Sequence, residues 1–154
     1  MKQHEYYMKE ALKEAAKAAK KDEVPVGAVI VSSGKIIARG HNLIRSKKDP
    51  SAHAEMIAIK KAAKKMDNER LNGCTLYVTL EPCSMCAGAI VLSRINLVIY
   101  GTKDPKTGAC GSMTSLLQHE KHNHKVNVEC GVLEEACGDI LKSFFKGKRL
   151  SKNK

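Results

Sequence analysis

Tryptophan is absent from this 154-residue chain, and aromatic side chains of every kind make up only 4% of it. So few flat apolar rings exclude a broad platform on which successive bases could stack, and leave room only for a small pocket that takes one. Acids are scarce as well: 16 Asp and Glu stand against 27 Lys and Arg, a formal net charge of +11. That excess favours a polyanionic partner such as nucleic acid. Many of the lysines, as in "KEAAKAAKK" and "KKAAKK", nevertheless fall on amphipathic helical patterns whose outer face is simply solvated. No apolar run is long enough to cross a bilayer. The N-terminal "MKQHEYYMKEALKEAAK" mixes acids and bases through a helical repeat, unlike a signal peptide. We therefore expect a cytoplasmic protein with no membrane association. In that reducing compartment Cys74, Cys83, Cys86, Cys110, Cys130 and Cys137 are expected as buried, catalytic or metal-bound thiols rather than disulfides.

Internal repeats and interdomain linkers are also missing, and the lysine-rich tail "KGKRLSKNK" is the one biased stretch. A single domain over 1–154 with a short basic tail follows, long enough to bury a core without disulfides or a structural metal. Helical spacing predicts a first helix over 3–21, closed by the turn "DEVP". "VGAVIVSSGKIIARGHN" reads as two strands, about 26–32 and 35–41, joined by a hairpin turn at Ser33-Gly34. After the polar loop "LIRSKKDP", the segment "SAHAEMIAIKKAAKKM" has Glu55 in its opening turns and lysines at its end, as a helix should. "CTLYVTL" suits a buried strand, and "PCSMCAGAIVLSRI" a helix with Pro82 in its first position. "LVIYG" is another strand, followed by the Gly-rich loop "GTKDPKTGACGS". A short helix around 112–118, a strand "VNVECGV" and a final helix around 133–147 complete the reading. Strands alternating with helices indicate an α/β domain with helices on both faces of the sheet.

The chemistry concentrates in "HAE" (His53, Glu55) and "PCSMC" (Cys83, Cys86), each opening a predicted helix. C-x-x-C alone fits a redox pair or a zinc knuckle equally well. Together with His53 it supplies three of the four ligands zinc prefers, with no obvious fourth, which is the pattern of a catalytic site that keeps one position for water. Helix starts favour the thiolate form of both cysteines, and a near-neutral ligand set lets zinc acidify that water near neutral pH. Glu55, two residues beyond His53, points elsewhere around the helix axis. It is placed to move protons rather than to bind the metal.

H-x-E followed by P-C-x-x-C is the signature of zinc-dependent nucleoside and nucleobase deaminases. "VPVGAVIV", "HNLIRSKKDPSAHAE", "TLYVTLEPCSMCAGAIVLSRI", "YGTKDPKTGACGS" and "FFKGKR" together make nearly the whole chain resemble the bacterial tRNA-specific adenosine deaminases. The resemblance implies a three-layer α/β/α, cytidine-deaminase-like fold with a central mixed sheet of about five strands. It implies one Zn2+ per subunit on His53, Cys83 and Cys86, a homodimer, and a tRNA anticodon stem-loop as substrate. The reaction would be hydrolysis of the wobble adenosine to inosine, a zinc-activated hydroxide attacking C6 of a flipped-out adenine with Glu55 as proton shuttle. Asn42, Asp104, Lys106, Asn123, Phe145 and Arg149 resemble the positions that contact the RNA. From the residues themselves Asn42 reads equally as a turn residue, and Phe144 and Phe145 equally as core anchors. His122 and His124 are read as part of a polar loop rather than a second metal site. Cys110 departs from the small residue expected in "GACGS", and is anticipated as an exposed, oxidation-prone thiol.

Two other classes of reading share parts of this pattern. A deaminase of free guanine, cytidine or deoxycytidylate has the same metal signature and differs in charge and in the loop after Asp104. A zinc-stabilised RNA-binding module without catalysis would have no need of Glu55 beside an open metal position. The basic C-terminal helix and tail, with Lys142, Lys146, Lys148, Arg149, Lys152 and Lys154, favour RNA.

Overall fold

Tyr7, Met8, Ala11, Ala15 and Ala18 are spaced to form one buried stripe along helix α1, Lys2–Lys20. In the computed structural model, which describes residues 2–152, that stripe lies on a five-stranded sheet. The elements continue as β1 (Gly27–Ser32), β2 (Lys35–His41), α2 (Ile44–Lys47), α3 (Ala54–Met66), β3 (Thr75–Leu80), α4 (Ser84–Leu92), β4 (Leu97–Thr102), β5 (Asn127–Cys130) and α5 (Glu134–Lys152). The spatial order is β2-β1-β3-β4-β5. β1 runs antiparallel to β2 and to β3, whereas β3, β4 and β5 are mutually parallel, so the sheet is mixed as expected.

Alternation along the strands divides the core into two layers. Val29, Val31, Tyr77 and Ile99 pack with Met8 and Cys137 under α1 and α5. Ala28, Ile30, Leu76, Val78 and Val98 pack on the opposite face with Ala58, Ala87 and Ile90 of α3 and α4. Helices therefore cover both faces, giving the three-layer α/β/α arrangement. Because β3 and β4 are buried on both sides, "TLYV" and "LVIY" read as unbroken apolar runs. Helix α3, which carries the "HAE" motif, lies unusually close to β2. A Cβ on Gly40 would sit 2.6 Å from the Ala54 carbonyl oxygen and 2.9 Å from the Ala58 nitrogen, so only glycine permits this seating.

Four expectations need correction. Residues 112–118 form no helix: Gly111 N–H donates to Thr114 O and Leu116 N–H to Ala109 O, closing a tight loop that consumes the donors a helix would need. The polar loop after β2 contains the single turn α2. Its amides at Arg45 and Ser46 are taken by buried Glu23, at 3.0 and 2.6 Å. Pro82 precedes the N-cap residue Cys83 rather than occupying the first helical position. The last helix runs on to Lys152 instead of ending near 147. All six cysteines are free thiols, and no helix among the described residues is long and apolar enough to cross a membrane.

Candidate active site

Two helix starts converge at the carboxyl end of β3. His53 is the N-cap residue of α3, in extended conformation (φ −75°, ψ 153°), and Cys83 plays the same part for α4 (φ −79°, ψ 178°). Three residues on, Cys86 returns to the same side of the helix and is fully buried. His53 Nδ1 lies 3.7 Å from Cys83 Sγ and 3.6 Å from Cys86 Sγ, and the three potential ligand atoms fall within 4.8 Å of one another. Zinc bonds of about 2.3 Å to sulfur and about 2.05 Å to nitrogen, set tetrahedrally, require N···S separations of about 3.5 Å. Both N···S separations match such an ion to within about 0.2 Å.

The charges fit as well. Cys83 is pulled down to about 4, chiefly by a hydrogen bond from the Cys86 thiol and then by His53. Cys86 is pushed up by that same interaction and by burial. The metal-free pair thus keeps one proton between two sulfurs, and a bound cation would displace it. His53 is raised, mainly by its contact with Cys83. Glu55, 3% exposed, is lifted by burial to about 7 and stands outside the His53–Cys83–Cys86 cluster.

His53, Glu55, Cys83, Asn42 and Asp104 line one cavity of about 130 Å³, the scale of a single ring system. Asn42 is 6% exposed, and its Oδ1 accepts the Ala54 N–H at 2.8 Å, so it secures the first turn of α3 and leaves its Nδ2 donors to offer. A second cavity of about 490 Å³ adjoins the first through Val24, Leu80, Asp104 and Thr107. Lys106 and Phe145 line it; Phe145 is 45% exposed and Phe144 half-buried, and neither ring belongs to the two core clusters.

Other anticipated residues lie elsewhere. Arg149 is exposed on α5 and lines neither cavity, and exposed Asn123 lines a separate one of about 200 Å³ with Leu92 and Arg94. His124 Nε2 is engaged by the Ile95 carbonyl at 2.7 Å, in keeping with a structural loop. Cys110 is half-buried, not exposed. Its surroundings push the thiol up to about 12, chiefly through burial, which makes it a poor nucleophile. On α5, Lys142, Lys146 and Arg149 are exposed, while Lys148 pairs with Asp22. Lys154 lies outside the described residues.

Sequence reasoning overlooked Glu81. This carboxylate is 2% exposed and directly precedes Pro82 and Cys83. Burial pushes it upward, but hydrogen bonds from Ser112, Asp104 and Cys110 outweigh that and hold it below the usual carboxylate range. Its one sequence signal is an acid at the end of an otherwise apolar strand.

A mixed sheet between two helical layers, with His-x-Glu at one helix start and a cysteine pair at the next, defines a deaminase of the cytidine-deaminase-like fold. The MafB19-like deaminase family model matches residues 2–149. The chain is also 55% identical over 152 residues to the tRNA-specific adenosine deaminase of Bacillus subtilis strain 168, covering 99% of this chain and 94% of that one. It belongs to this family, the tRNA-specific adenosine deaminases among the MafB19-like deaminases. A solved structure from a study of A-to-I editing by tRNA:A34 deaminases at the wobble position of transfer RNA is 44% identical, with a TM-score of 0.85, and covers 88% of this chain and 99% of its own. The guanine deaminase of Bacillus subtilis shares 34% identity at a TM-score of 0.64, over 80% of this chain and 82% of its own.

Proposed function

We propose that this chain hydrolyses the wobble adenosine of a tRNA anticodon loop to inosine and ammonia in the cytoplasm, using one zinc ion per subunit on His53, Cys83 and Cys86. The observation that carries this reading is a zinc-compatible donor set sharing a base-sized cavity with a buried acid outside that set. Zinc bound there supplies the Lewis acidity that makes water nucleophilic near neutral pH. The remaining tasks fall to the chain's own groups. Glu55 takes one proton from the water and delivers it to adenine N1, then carries the remaining hydroxyl proton to the amine as the C6–N bond breaks and the C6 carbonyl forms. Asn42 donates from Nδ2 to an acceptor on the same nucleotide.

The second cavity suits a neighbouring nucleotide, with Phe145 as the stacking ring and Lys106 as a phosphate partner. Asp104 accepts the amides of Lys106 and Thr107 at 3.1 and 3.2 Å, shaping the turn that presents them to RNA. Arg149 and Asn123 would meet more distant parts of the stem-loop. The likeness to a guanine deaminase supports a second reading, action on a free base, against which the net charge of +11 argues. Incubation with tRNAs bearing adenosine at the wobble position, followed by sequencing, separates the two, since inosine is read as guanosine. A-to-G change at that one nucleotide is expected, with KM raised by alanine at Phe145 or Lys106. Turnover of free guanine or cytidine with the RNA untouched would overturn the proposal.

We also propose a homodimer through α4, a helix apolar on every side. Its outer face leaves Leu92 80% and Met85 38% exposed. Leu92→Glu should convert the protein from dimer to monomer in sedimentation at micromolar concentration. A wild-type monomer, or a variant dimer as stable as wild type, contradicts this interface.

A further inference from the structure

We infer that Glu81 is a positioning residue for the RNA, holding residues 104–112 in their substrate-ready shape before any nucleotide arrives. The inference rests on the editing reading above. Both carboxylate oxygens of Glu81 are committed to this one loop. Oε1 accepts the Asp104 N–H at 3.0 Å and the Ser112 hydroxyl, and Oε2 accepts the Cys110 and Ser112 N–H groups at 3.0 and 3.1 Å. Nearby backbone closes the same seam: Glu81 N–H donates to Thr102 O at 2.9 Å and Ala109 N–H to Pro82 O at 2.8 Å. Gly108, which pairs with Cys83 in an isolated bridge, lies so close to the carboxylate that no Cβ would fit.

A buried charge is unfavourable unless it is paired or fully hydrogen-bonded. Among the described residues Glu81 makes no salt bridge, and its hydrogen bonds all come from neutral donors of one loop. Four donors of one loop thus converge on this single buried side chain just beyond β3, and that convergence makes Glu81 the loop's anchor. The loop carries Asp104 and Thr107, shared by both cavities, and Lys106, which lines the second. Through Pro82 the same residue adjoins Cys83. One side chain therefore fixes the distance between the metal corner and the RNA-facing loop, and rigidity established in the free protein need not be supplied by binding energy.

Glu81→Gln tests this, because glutamine keeps the shape but offers one acceptor oxygen and turns an NH2 toward amide donors. Expected are unchanged zinc content, faster hydrogen exchange confined to the amides of 104–112, and a KM for an anticodon stem-loop raised about tenfold with kcat nearly preserved. Ser112→Ala, which deletes one donor and leaves the carboxylate, should move both readouts the same way by roughly two- to threefold, and serves alone if the Gln variant does not fold. Unchanged exchange in 104–112 overturns the inference. So does faster exchange with KM unchanged, which marks a merely structural acid, or loss of zinc and kcat at constant KM, which assigns Glu81 to the metal corner. Absence of inosine from the wild-type reaction would instead defeat the editing reading, while the exchange data would still decide whether Glu81 holds the loop.

Discussion

Glu55→Gln should lower kcat by about 10³-fold while zinc content and RNA affinity stay close to wild type. Glutamine occupies the same volume and can still hydrogen-bond, but it can neither accept the proton from water nor pass it to the base. The substitution removes no member of the His53–Cys83–Cys86 donor set. A variant within tenfold of wild-type kcat would end its role as proton carrier. The same change should stabilise the metal-free protein. Burial raises the Glu55 carboxyl from an ordinary 4.5 to about 7, so between those values the folded state holds a proton that the unfolded state has released. Stability then falls as pH rises through this window, by about 1.4 kcal/mol per pH unit and on the order of 3 kcal/mol in total. Glutamine is neutral throughout and suffers no such loss. In chelator-treated samples the melting temperatures of variant and wild type should lie close together near pH 4.5 and diverge, variant higher, toward pH 8. A gap independent of pH would contradict burial as the cause. Burial thus makes the ionised form of Glu55 costly to the fold.

What could be read from the sequence was whatever local spacing dictates. His53 and Glu55, like Cys83 and Cys86, lie close in the chain and at helix starts, so their geometry follows from the helix alone. The strands at 27–32, 75–80 and 97–102 were legible because burial on one or both faces writes itself into β-branched runs. The loop character of 101–112 was legible from its glycines, but what holds that loop was not, because several of its backbone donors are satisfied by a partner far back in sequence. Glu81 reaches 29 and 31 residues ahead to Cys110 and Ser112, and no local pattern announces it. Helix signals at 112–118 lost to the loop's own backbone pairing, Gly111 N–H to Thr114 O and Leu116 N–H to Ala109 O. Asn42 was ambiguous for a similar reason: its partner, the amide of Ala54, lies 12 residues on across the loop containing α2. Neither role excludes the other, because capping uses the oxygen and leaves the nitrogen. That Phe145 lines a cavity with residues 103–107 was equally hidden, because the two segments are about forty residues apart in the chain.

Removing the metal should abolish inosine formation reversibly, and Cys86→Ser should do so permanently, each by about 10³-fold or more, the several kcal/mol of charge stabilisation a metal supplies. Cys86 is the most telling ligand to replace, since it is fully buried and 3.6 Å from His53 Nδ1, a site that no exposed side chain could fill in its place. Serine there is a poorer, harder ligand whose hydroxyl does not ionise near neutral pH, so zinc content should fall together with activity. The thiol pair also sets how binding responds to acid. Cys83 is already a thiolate near neutral pH, whereas the proton on Cys86 is held by that thiolate and by burial. Zinc must expel this proton, and its apparent affinity should therefore rise about tenfold for each pH unit around neutrality. The slope should steepen toward lower pH, where His53, raised by its contact with Cys83, must lose a proton too. Competition against a metal-binding dye from about pH 6 to 8 measures the slope directly. A flat profile, or zinc bound as tightly by the serine variant, would mean that the two sulfurs do not hold the metal together, and no hydrolytic role could then be assigned to this corner of the fold.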